Sequence, residues 1–230
     1  MDFVVLSSSR GTTFQAVLDR IADGMLTAKC LGLISDHEDR GCVQKARDAG
    51  MPVAIVTRIE GESREDYDKR LHASIESLLG PNPNPNPNPN PNPNPNPNPS
   101  PNPSPSPSPR VIAALGWMFI FTPWFVARWR NRIINVHPAL LPKFGGKGMY
   151  GDKVHQAVLD AKEKESGISI HVMDEGVDTG PVLRQETCPV LPGDTVETLK
   201  AKVQALEKEW YPRVLEMIHR GEIRLPGSEK

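Results

Sequence analysis

Apolar positions along the chain fall into two rhythms. Short unbroken apolar runs at residues 3–6, 30–34 and 53–56 are too brief for helices and read as strands buried on both faces. Between them lie stretches with helical spacing: residues 14–22, residues 41–49 closed by Gly50, and residues 64–79, where Leu71, Ile75, Leu78 and Leu79 share one face. The pattern resumes with strands at 111–115 and 133–136, helices at 124–129 and 153–161, strands at 168–172 and 182–186, and a long helix from 195 to 219. Alternation of this kind predicts an α/β fold built on an open, mostly parallel, twisted sheet with helices on both faces.

One block obeys neither rhythm. Residues 81–109 are Pro alternating with Asn or Ser. Every second residue there lacks an N–H, which excludes helix and central strand and predicts polyproline II or a disordered linker. The chain therefore divides into an N-terminal half-domain (1–80), a low-complexity insert (81–109) and a C-terminal half-domain (110–230). The roughly 200 residues outside the insert suffice for one substantial core. Because the insert joins the end of a helix to the start of a strand, it is expected at the amino edge of the sheet. Ligand loops gather at the opposite, carboxyl edge.

Composition narrows the function classes. Lys plus Arg number 27 against 28 for Asp plus Glu, and the net charge of −1 supplies no field for nucleic acid. Cys30, Cys42 and Cys188 lack metal-ligand spacing and an even count, which points to reduced thiols and a cytoplasmic location. No leader pattern opens the chain, and the apolar stretch at 117–129 is broken by Pro123 and Arg128, so no membrane association is expected. The histidines show no ligand-spaced pair, so no metal is expected. His155, on a predicted helix, and His171, within a predicted strand, read as structural.

The chemistry concentrates at Asn135-Val136-His137-Pro138-Ala139-Leu140-Leu141-Pro142. Asn135 and His137 lie two residues apart on an extended chain and so point to the same side. Together they offer a hydrogen-bond donor and a proton-bearing ring to one developing oxyanion. The later loop Asp174-Glu175-Gly176-Val177-Asp178-Thr179-Gly180 supplies carboxylates able to hold that ring charged and oriented. A third feature is the turn from Ser7 to Phe14, between strand and helix, where backbone N–H groups and hydroxyls suit a phosphate or simply cap the helix.

Taken together, Asn135 to Phe144, Gly167 to Asp174 and Asp178-Thr179-Gly180-Pro181 resemble the folate-dependent formyltransferase family. Within it the chain is similar to the branch that acts on a glycinamide ribonucleotide. The resemblance implies transfer of a formyl group from 10-formyltetrahydrofolate, a cosubstrate and not a tightly bound cofactor, to the glycine amine of 5-phosphoribosylglycinamide. It implies Asn135, His137 and Asp178 as catalytic residues, with Ser169 as an orienting hydroxyl. Ribonucleotide binding would fall to Gly11, Thr12, Thr13, Arg64, Gln204 and Glu207. Folate would lie against Met118, Phe119, Ile120 and Phe121, Asn135 and the loop Asp174, Glu175, Gly176, Val177 and Asp178. Small molecules are the implied partners, together with other purine-pathway enzymes or a second copy of the chain. Ser9, Asp36 and Phe119 depart from the family's Gly, Asn and basic or polar residue. A formyltetrahydrofolate hydrolase would share the catalytic trio but carry an extra N-terminal domain, whereas here the first strand begins at Phe3. A non-catalytic folate- or nucleotide-binding protein is the other reading, against which the intact trio argues.

Overall fold

The computed structural model describes residues 1–80 and 110–227; the expectation for the Pro-Asn insert falls outside them. Seven strands form one sheet in the order β3-β2-β1-β4-β5-β6-β7. They are β1 (Asp2–Leu6), β2 (Lys29–Ser35), β3 (Val53–Ile55), β4 (Arg110–Ala114), β5 (Ile133–His137), β6 (Glu165–Val172) and β7 (Val182–Pro189). The first five are parallel, while β6 runs antiparallel to β5 and β7 antiparallel to β6. Among the described residues the helices are α1 (Thr12–Ala22), α2 (Gly41–Asp48), α3 (Arg64–Leu79), α4 (Pro123–Arg128), α5 (Asp152–Asp160) and α6 (Val196–His219).

The unbroken apolar strands follow from this layering. In β1, Phe3 and Val5 enter a core completed by α1, α2, α5 and α6, while Val4 and Leu6 enter a second core under α3 and α4. A strand with helices on both faces buries both alternating sets, so its sequence shows no polar face. The helical stripe predicted on 64–79 packs as expected, with Leu71 and Ile75 fully buried and Leu78 at the core's margin.

The strand order places the site. It reverses between β1 and β4, which opens a crevice beyond their carboxyl ends. β5 is offset toward that edge: Ile133 to Asn135 pair with Ile112 to Ala114, leaving Val136 and His137 beyond the end of β4. Across β5 lies the antiparallel β6, which sets Asn135 opposite His171 and His137 opposite Ser169. α6 is fastened beneath β5 by the fully buried Tyr211, whose hydroxyl donates to the Ile134 carbonyl at 2.8 Å.

At the amino edge, Arg110 donates to the Leu79 and Gly80 carbonyls at 3.2 Å, which brings together the two chain ends flanking the insert. Both ends are therefore held independently of what joins them. Excising residues 83–107 and closing with a short Gly/Ser linker is expected to leave turnover within about threefold, because the edge is remote from the crevice. Steady-state assay of the shortened chain checks this, and a collapse of activity would show that the insert contributes to catalysis.

Candidate active site

The crevice holds a cavity of about 670 Å³. The turn after β1, the loop after β4, the end of β5, the 146–151 loop, the β6–β7 loop and one face of α6 all line it. Asn135, His137 and Asp178 come together at one end. His137 is buried at 4% exposure, and its Nε2 donates to the Phe144 carbonyl at 2.8 Å. Its Nδ1 faces Asp178 Oδ2 at 3.4 Å. Both ring nitrogens thus face oxygen acceptors. The same Asp178 oxygen accepts the Gly146 N–H at 3.0 Å, which fixes the carboxylate. Asp178 itself sits at φ 58°, a left-handed conformation that Asp tolerates better than most residues.

His171 has the structural role read from the sequence, and its partners give that role its content. It is fully buried directly behind Asn135, and burial pushes its pKa below the usual imidazole range. Nδ1 lies 3.2 Å from the Val172 carbonyl, so that nitrogen carries the proton and Nε2 accepts the Asn135 amide at 3.1 Å. Asn135 therefore presents its NH₂ group in a fixed orientation, with one N–H spent on His171 and the other available. Sequence position alone gave no sign of this, because the pairing depends on the β5–β6 register.

Ser169 also departs from expectation. Its hydroxyl donates to the Ala139 carbonyl at 2.7 Å and accepts from the Leu141 N–H at 2.9 Å and Gln185 at 2.8 Å. It is committed to holding the Ala139–Leu141 loop and is not placed to orient a water at Asp178.

At the other end, α1 begins at Gly11 with no side-chain cap. The capping alternative for the Ser/Thr turn is thus not realised, and the backbone donors of the first turn remain suited to an anion. The departure at Ser9 has a local consequence: its hydroxyl accepts the Gly11 N–H at 3.1 Å. Thr12, Thr13, Gln204 and Glu207 line the cavity here, and Thr13 donates to Glu207 at 3.0 Å. Burial raises the Glu207 carboxyl to about 7. Folding then favours its neutral form, so its contribution is full below the unfolded value and disappears as pH rises through 7. Glu207→Gln keeps an acceptor for Thr13 and removes this titration. Its melting temperature is expected to gain on the wild type between pH 5 and pH 8, and a flat difference across that window would show the carboxyl to be unshifted.

Arg64 is not brought to this turn. Its guanidinium donates to the Ile120 carbonyl at 2.5 Å, on the expected folate side. Nearby, buried Asp68 accepts from both the N–H and the hydroxyl of Thr122, at 2.7 and 2.6 Å. α3 thus grips the segment at 118–122 from below. Met118, Phe119, Ile120 and Phe121 all line the cavity, with Phe119 packed between Trp117 and Tyr67 at ring distances of 5.4 Å. Opposite them stand Asp174, Glu175, Gly176 and Val177, in a loop stapled by Thr179 donating to Asp174 at 2.7 Å. Asp36 lies away from the cavity wall and is held by Arg40 through two hydrogen bonds of 3.0 and 2.7 Å.

Further polar side chains line the cavity that were not assigned to the site from the sequence. His155 is 2% exposed, lines the cavity and has a buried Nδ1 without a hydrogen-bond partner among the described residues. Lys200 lines it from α6, where the i, i+4, i+7 spacing of Lys200, Gln204 and Glu207 was the legible signal. Among the described residues no group of three His, Cys, Asp or Glu side chains is placed to hold a metal, and no helix is long and apolar enough to cross a membrane.

An amide, an imidazole and a carboxylate at one end of a cavity, with an uncapped helix start at the other, define an α/β group-transfer enzyme. Comparison with known proteins specifies which. A family model described as formyl transferase matches residues 106–215. The chain is 28% identical to the phosphoribosylglycinamide formyltransferase of Escherichia coli K12, over 98% of its own length and 90% of that protein. It is 32% identical to the trifunctional purine biosynthetic protein adenosine-3 of Drosophila pseudoobscura pseudoobscura over 98% of its length, but spans only 14% of that relative. Among solved structures, the phosphoribosylglycinamide formyltransferase of Coxiella burnetii superposes with a TM-score of 0.78 at 30% identity, covering 99% of this chain and 94% of that one. The chain belongs to the formyltransferase family.

Proposed function

We propose that this enzyme transfers the formyl group of 10-formyltetrahydrofolate to the glycine amine of 5-phosphoribosylglycinamide, a step of purine biosynthesis. The observation that carries this reading is the two-ended cavity. The Asn135–His137–Asp178 cluster occupies one end, and the α1 N-terminus with Thr13, Gln204 and Glu207 the other.

The amine nitrogen bonds to the formyl carbon, and the carbonyl oxygen becomes an oxyanion. The free N–H of Asn135 donates to that oxygen, and a single such donor is worth about 3–4 kcal/mol in acyl transfer. His137 donates a second hydrogen bond from Nδ1, the nitrogen left facing the cavity once Nε2 is held by Phe144. Collapse of the tetrahedral carbon breaks its bond to folate N10. The attacking nitrogen loses a proton and N10 gains one. His137 and Asp178, 3.4 Å apart, relay protons between the two. The amine is itself the nucleophile, so no covalent enzyme intermediate is needed. The pterin ring lies in the slot between residues 118–121 and 174–178, where aromatic and backbone surfaces face each other.

The second pole of the cavity favours transfer over hydrolysis, since water as nucleophile makes no use of an anion-binding helix end. Incubation with 10-formyltetrahydrofolate, with and without the ribonucleotide, tests the reading. Loss of formyl only when the amine is present is the expected result. Loss without the amine would select the hydrolase, and no loss at all a binding protein. Three free thiols suit a reducing, cytoplasmic compartment. The insect relative carries its matching segment within a trifunctional purine biosynthetic protein, which supports a working association of this chain with other purine-pathway enzymes.

A further inference from the structure

A neighbouring cation strengthens the hold of a helix start on a phosphate dianion, and the expected one is elsewhere: Arg64 is engaged at Ile120. One donor of the turn, the Gly11 N–H, is also spent on Ser9. Of the described cavity-lining residues only Lys147 and Lys200 are Lys or Arg. Lys200 stands on the α6 stripe that ends at Glu207, the residue bonded to Thr13 of the turn. Seven residues along a helix span about 10 Å, a separation that a lysine side chain and a ribose phosphate bridge together. Its ammonium is paired at 2.6 Å with Asp152, the first residue of α5, and Arg10, His155 and Glu197 make up the other titratable groups facing that pair.

We propose that Lys200 is a further ligand for the phosphate of the ribonucleotide, held ready by Asp152 at the wall of the cavity it shares with Thr12 and Thr13. The inference rests on the reading above and adds a specificity-determining residue that the family likeness did not supply. Asp152 orients the ammonium before substrate arrives. The incoming dianion, the stronger acceptor, then takes over the charge-assisted hydrogen bond.

Steady-state kinetics on the full chain distinguish this from a mere clasp between α5 and α6. Lys200→Met is expected to raise KM for the ribonucleotide at least about tenfold, with kcat and the folate KM within about twofold. It should weaken competitive inhibition by inorganic phosphate to a similar degree. Lys200→Arg should recover most of the loss. Asp152→Asn, which removes the tether but keeps the cation, should raise the ribonucleotide KM by no more than about threefold. Equal effects of Lys200→Met and Asp152→Asn, or none from either, would overturn the proposal. A wild-type chain without amine-dependent formyl loss defeats the functional reading itself, and the inference with it.

Discussion

His137→Asn is expected to lower kcat about a thousandfold while the protein melts within a few degrees of wild type. The asparagine amide ends at the level of Nδ1, on the side of Asp178, so the Phe144 carbonyl loses the donor that Nε2 supplied and the few degrees are its cost. The amide cannot hold or return a proton, and the oxyanion loses its second donor. Asp178→Asn should behave similarly. Asn tolerates the φ of 58° and still accepts the Gly146 N–H, yet the charge opposite the ring is gone. The pair of variants therefore tests chemistry and not folding. Turnover near wild type in either, with amine and folate saturating, would remove the proposed proton relay.

The second large effect is expected at Gly11→Ala. Gly11 adopts φ 74°, which L-residues avoid, and an added methyl would stand 2.8 Å from the Cys42 Cα of α2. Backbone cannot yield there without moving α1 or α2. The cost is about 2 kcal/mol, or a fall of some 4–8 °C in melting temperature for a chain of this size. KM for the ribonucleotide should rise more than tenfold, because the turn that aims the α1 donors is displaced. Calorimetry and kinetics together check it. An unchanged melting point with unchanged KM would mean that the turn neither is tight nor binds the phosphate.

The elements were legible because helices on both faces make each strand an apolar run, and because the helices carry their own stripes. Their limits were read to within a few residues: helix 14–22 became α1 (Thr12–Ala22), and strand 133–136 became β5 (Ile133–His137). Asn135 and His137 could be paired from the strand period alone. Asp178 was reachable as part of an acidic loop, although nothing in its spacing said which carboxylate would face the ring. That His171 braces Asn135 was not legible, because this partner lies 36 residues away, across an antiparallel pairing. Ser169 was misread for the same reason, its hydroxyl being consumed by a loop that crosses it.

By itself the sequence determined the α/β class and the family, and it pointed to the residues of the candidate site, since these reside in local periods and contiguous motifs. Tertiary structure alone decided which polar groups remain free to act. It spent Ser169 on a loop and Arg64 on Ile120, turned His171 into the brace of Asn135, and brought Lys200 to the cavity wall. The physical reason is that every buried donor and acceptor must find a partner, and those partners are set by strand register and helix packing, which no single segment encodes.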